Sequence, residues 1–168
     1  MTVTLNLAEQ RLATFLGTMR HRVNRQAQVV DQQHSPTLTG LEVDIDGVGA
    51  EIALARILNV YPDLTLEPRR GGGDLTVAGV TIDVKTTRYP HGRLLTTLYK
   101  QPGDVAVYAL VVGQMPHYAL KGFCTADHLF AMQHIMNLGH GPLRAVPQTD
   151  LLTLADITRA QRTDGSHT

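Results

Sequence analysis

The chain has 168 residues, 43% hydrophobic and 18% charged, with 15 basic residues against 15 acidic ones. That suits one domain with a real core and excludes wholesale disorder, while net neutrality argues against indiscriminate adhesion to nucleic acid. Cys124 is the only cysteine, so an intrachain disulfide and a four-cysteine zinc site are excluded.

The first residues, MTVTLNLAEQ, have no basic segment followed by an apolar one, and no apolar run approaches membrane-spanning length. The expectation is a cytoplasmic protein with no signal peptide and no membrane span.

Residues 8–30 read as an amphipathic N-terminal helix, with Leu12, Phe15, Leu16, Met19, Val23, Ala27 and Val30 on one face. Arg11, His21, Arg22 and Arg25 fall mostly off that stripe and read best as a solvated basic face. DQQHSPTLTG, residues 31–40, is loop-like. A second helix is predicted over 46–60, with Asp46 as its N-cap and Val48, Ile52, Ala55 and Leu58 as its apolar stripe. Pro62 ends it by restraining Tyr61.

Short strands follow at 64–68, 74–77 and 80–86, the last two joined by a turn at Ala78-Gly79. Residues 104–112, DVAVYALVV, are apolar on both faces and predict a central strand. HYALKGF, 117–123, is its hairpin partner. A helix over 126–138 capped by Thr125 and stopped by Gly139, a strand at 143–147, a terminal helix from 150 and a frayed tail at 160–168 complete the reading. The order predicts an α/β fold, a mixed central β-sheet flanked by helices.

Charge is unevenly distributed. Residues 31–67 carry seven acids against Arg56 alone, and residues 68–100 carry six bases against Asp74 and Asp83. Alternation along VTIDVK puts Asp83 and Lys85 on one face. Folding the hairpin at Ala78-Gly79 sets Leu75 opposite Ile82 and, by the same count, Asp74 opposite Asp83. Opposed carboxylates with Cβ atoms about 5 Å apart repel. Lys85 offsets this only from a diagonal position, whereas a divalent cation, which takes oxygen ligands, offsets it well. The backbone carbonyl of Val84 supplies a third oxygen. Glu51 lies toward the buried stripe of its helix, where a glutamate needs a partner. Three carboxylates and a lysine amid apolar neighbours suit metal-assisted phosphodiester hydrolysis.

Glu51 on a helix, Asp74 in GGGDL and then Asp83-Val84-Lys85 in IDVKTT resemble the PD-(D/E)XK nuclease superfamily, especially small phage-type and Holliday-junction-resolvase-like nucleases. Gly73 stands where the nominal proline of that signature would be. The resemblance implies a restriction-endonuclease-like core at 46–147 with an added N-terminal helix, within a single nuclease domain over 1–168. It implies Mg²⁺ as cofactor, with Mn²⁺ substituting, no nucleotide cofactor, and cleavage of DNA leaving a 5′-phosphate. Asp74 and Asp83 would hold the metal with the Val84 carbonyl, Lys85 would be the catalytic lysine, and Glu51 the helical acid assisting metal or water. Resolvase-like members are commonly dimers, so the resemblance implies a homodimer. Arg69, Arg70, Thr86, Arg88, Arg93 and Lys100 flank the hairpin and are candidates for holding DNA phosphates. Near-neutral charge suits a structured target such as a junction, flap or end, or recruitment by a partner.

Three other readings compete. One is a catalytically inactive DNA-binding or assembly module on a nuclease core. Another is a histidine metal site using Cys124, His128, His134 and His140, whose spacing does not share one helical face. The third, a phosphate-cradling GGGDL loop, lacks both GxxxxGK[ST] and GxGxxG.

Overall fold

The computed structural model describes residues 1–28, 37–67, 72–103, 105–139 and 141–157. An edge strand, β1 (Thr2–Thr4), leads into helix α1 (Leu7–Gln26) and helix α2 (Gly40–Leu58). The hairpin β2 (Leu75–Val77) and β3 (Val80–Thr87) follows, then β4 (Leu94–Thr97), β5 (Val107–Gln114) and β6 (His117–Thr125). A short helix α3 (Ala126–Phe130) precedes β7 (Ile135–Asn137) and β8 (Pro142–Val146).

The five-stranded sheet runs β1-β6-β5-β3-β2, so the expected central strand is central. It is mixed: β3 and β5 are parallel and the other pairs antiparallel. The predicted α/β class, a mixed central sheet flanked by helices, is the observed one. The segment linking β3 to β5 crosses through β4, which joins β8 and β7 in a separate three-stranded sheet.

The sheet has two buried faces. Ile82, Val107, Ala109, Val111 and Phe123 pack with Ala13 and Leu16 of α1 and with Val48, Ile52 and Leu54 of α2. Tyr108, Leu110, Val112 and Cys124 pack on the other side with Leu94 of β4, Leu129 of α3 and Val146 of β8. Each large aliphatic buried this way stabilises the fold by about 1.5–3 kcal/mol before entropy is charged against it. No helix among the described residues is long and apolar enough to cross a membrane.

Several boundaries differ from expectation for identifiable reasons. Asn6 and Glu9 form a capping box, so α1 starts at Leu7; its predicted end at Val30 lies outside the described residues. Phe15, assigned to the apolar stripe, is 58% exposed, because the face against α2 runs through Ala13, Leu16, Gly17 and Asn24 instead. Thr39 and Glu42 form a second capping box, so α2 starts six residues before Asp46. Asp46 is therefore interior to the helix, not its cap. No strand forms over 64–67. The helix expected at 126–138 stops at Phe130, since Ile135–Asn137 pairs with β8 instead.

Candidate active site

The β2–β3 hairpin turns as the sequence predicts. Ala78 and Gly79 both have positive φ, 48° and 82°, as a two-residue turn matching strand twist requires. The pairs are Val77 with Val80, Thr76 with Thr81 and Leu75 with Ile82.

Regular pairing ends there. The Asp74 amide donates to the carbonyl of Ile82 at 2.8 Å, one residue short of Asp83. The Asp74 carboxylate then accepts from the Val84 amide at 2.6 Å, where a continuing strand would have placed a carbonyl. Asp74 thus bonds to the residue between Asp83 and Lys85.

Asp83 is 3% exposed. Its neighbour across β5 is Tyr108, which places its side chain on the sheet face away from α1 and α2. Lys85, two residues on, shares that face, and its ammonium lies 2.5 Å from Asp83 Oδ1. Lys100, from the segment between β4 and β5, donates to Asp83 Oδ2 at 2.6 Å. Its Nζ also lies 6.0 Å from the centroid of the Tyr108 ring, near the limit for cation–π attraction. Two ammoniums, where the sequence offered only Lys85, answer the Asp83 charge.

Glu51 approaches from the helix face. Arg20 Nη1 donates to its Oε2 at 2.6 Å, and the same guanidinium donates to the carbonyls of Asp63 and Thr65. Burial works against the Arg20 charge, but Glu51 outweighs it by charge and hydrogen bond, with smaller help from Asp63 and Asp74, and the pKa rises. Arg20 therefore sits in the field of both Glu51 and Asp74.

The proposed phosphate contacts divide. Thr86 donates its hydroxyl to the Val111 carbonyl at 3.1 Å, inside the sheet. Arg88 donates to Asp46 Oδ2 at 2.6 Å and so ties the end of β3 to α2. Lys100 is bonded to Asp83 itself. Arg93 is exposed. Arg69 and Arg70 lie outside the described residues.

Sequence reasoning passed over Arg20. The signal was present: Arg20 falls on the stripe of Ala13, Leu16, Gly17 and Asn24, and a base on a buried stripe asks for an acid just as Glu51 asks for a base.

The histidine alternative names His140, which lies outside the described residues; Cys124, His128 and His134 form no metal-holding group. Cys124 is buried, and burial pushes its thiol up to about 11. His128 is exposed, although its ring lies 4.5 Å from that of buried His134. Burial and His128 together lower the His134 pKa. Among the described residues, no three His, Cys, Asp or Glu side chains gather closely enough to hold a metal.

Residues 2–140 match a family of unknown function, DUF5843. The chain belongs to that family. No curated protein and no solved structure matches it.

Proposed function

We propose that the chain is a metal-dependent nuclease that hydrolyses DNA phosphodiester bonds. One observation carries the reading: Asp83 and Lys85 are in contact, and the Asp74 carboxylate is bonded to the amide of the residue between them. Two acids and a lysine thereby meet on three residues of one strand.

The donor chemistry fits a hard divalent cation such as Mg²⁺ or Mn²⁺. Asp74 and Asp83 offer carboxylate oxygens, and the Val84 carbonyl points toward the same strand edge as its amide. The fit carries a condition, since both Asp83 oxygens are held by ammoniums and one must be released. When bound, such an ion polarises a phosphoryl oxygen and lowers the pKa of its water. Lys85, with its side chain 32% exposed, reaches solvent and serves to orient that water or to stabilise charge developing on the phosphate. Glu51, held by Arg20, lies on the helix face, across the sheet from Asp83 and Lys85, and links α2 to α1 rather than joining this group.

A second reading is favoured by a different observation. Glu51 and both Asp83 oxygens already have internal basic partners, which suits a DNA-binding or assembly module that no longer cleaves.

Digestion of linear, circular, single-stranded and branched DNA with Mg²⁺ or Mn²⁺ separates the two. The nuclease reading expects cleavage, with Asp83→Ala and Lys85→Ala each losing about 10²–10³-fold in rate. DNA binding with no cleavage, or cleavage that both variants retain, overturns it.

A further inference from the structure

Lys100 is not part of the D-x-K unit, yet it closes on the same carboxylate. Its ammonium has two polarisable partners, Asp83 Oδ2 at 2.6 Å and the face of the Tyr108 ring. Lys85 is anchored on the strand that carries Asp83 and reaches the other oxygen. Lys100 comes instead from the stretch between β4 and β5, where residues 98–103, 105 and 106 bear no strand. Of the two ammoniums, Lys100 is the one not carried by the strand that bears Asp83, so its release leaves Lys85 and that strand in place, although its side chain is the more enclosed, 17% exposed against 32%.

We infer that Lys100 is an exchangeable counter-ion of Asp83. It occupies Oδ2 until a divalent cation takes that oxygen, and the released ammonium then pairs with a phosphate of the bound nucleic acid. The inference rests on the nuclease reading above. A cation and an ammonium compete for one oxygen, so each weakens the other reciprocally. A phosphate that receives the displaced ammonium favours the metal-loaded state, and metal binding and DNA binding are thereby coupled. Lys100 is a positioning residue in this scheme, because it acts through Asp83 and the DNA backbone.

The test titrates Mn²⁺ alone into the full chain and follows the electron paramagnetic resonance signal of unbound ion. Lys100→Met should bind Mn²⁺ about tenfold more tightly than the unmodified chain, an ordinary size for coupling between two ligands. Lys100→Gln repeats the measurement with a polar side chain should the methionine variant not fold. Asp83→Asn should abolish binding. Affinity for a duplex oligonucleotide, with Ca²⁺ in place of Mg²⁺ to hold back cleavage, should fall in Lys100→Met. Opposite movement of two affinities is not what loss of fold produces. Equal or weaker Mn²⁺ binding by both Lys100 variants, still lost in Asp83→Asn, overturns the exchange and leaves the nuclease reading standing. No Mn²⁺ binding by any of these chains overturns both.

Discussion

The two faces of the five-stranded sheet handle buried charge differently. On the helix face, Asp44, Asp46 and Glu51 all sit within α2 and are each 9% exposed or less. Each is met by a base from another element: His21 at 2.8 Å, Arg88 at 2.6 Å and Arg20 at 2.6 Å. These pairs stitch α2 to α1 and to the end of β3. On the opposite face a single acid, Asp83, holds two lysines, one of them from its own strand. The helix-face pairs act as cross-links of the fold. Two ammoniums share the one Asp83 carboxylate, so either can be given up without orphaning that acid.

The contrast can be broken at its strongest point. Arg20→Met should leave Glu51 buried without its guanidinium and remove two bonds to the 63–65 backbone. The expected loss is about 3 kcal/mol of stability in urea unfolding. Adding Glu51→Gln should restore much of it, since the uncompensated charge is then gone. A loss under about 1 kcal/mol would place the Arg20 pair with ordinary surface bridges and dissolve the distinction between the faces.

Steric fit on the helix face gives the next effect. A Cβ at Gly49 would lie 2.0 Å from the Tyr118 hydroxyl oxygen, and Tyr118 is only 3% exposed, so it has little room to move. Gly49→Ala should cost about 2 kcal/mol by overpacking, read as a lowered thermal midpoint. The Tyr118 hydroxyl is buried and has no hydrogen-bond partner among the described residues, and burial raises its pKa. Tyr118→Phe alone should therefore be close to neutral, and combined with Gly49→Ala it should recover part of the loss.

What the sequence disclosed follows the range of the interactions involved. The β2–β3 register and the shared face of Asp83 and Lys85 were legible, because a two-residue turn and strict alternation are local. The central strand was legible because burial on both faces leaves an apolar run. Two readings failed on local signals that were present but outweighed. The Thr39 and Glu42 box lost to Asp46, an acid beside an apolar stripe that is in fact satisfied by Arg88. The strand at Ile135–Asn137 depends on β8 and has little signature of its own. The rest of the site is non-local. Arg20 meets Glu51 across 31 positions, and Lys100 returns to Asp83 only after the chain has detoured through β4, a separation of 17. Alternation and helical periodicity carry no information at those distances.

The smallest effect on stability belongs to the Asp83 face, and it is the sharpest test of the comparison. Lys100→Met leaves Asp83 with Lys85, so no buried charge is orphaned, and the cost should stay below about 1 kcal/mol. Cys124 reports on this face directly. It packs with Tyr108 and Leu110, and a thiol pushed up to about 11 and 1% exposed reacts only when the structure opens. At fixed alkylating reagent and pH, with reclosing faster than labelling, the rate follows the opening free energy, tenfold for each ~1.4 kcal/mol. Arg20→Met should then label on the order of 100-fold faster than the unmodified chain, and Lys100→Met less than about fivefold faster. If Lys100→Met labels as fast as Arg20→Met, the Asp83 lysines are structural cross-links like the helix-face bases, and the second ammonium on Asp83 is not held ready for a ligand.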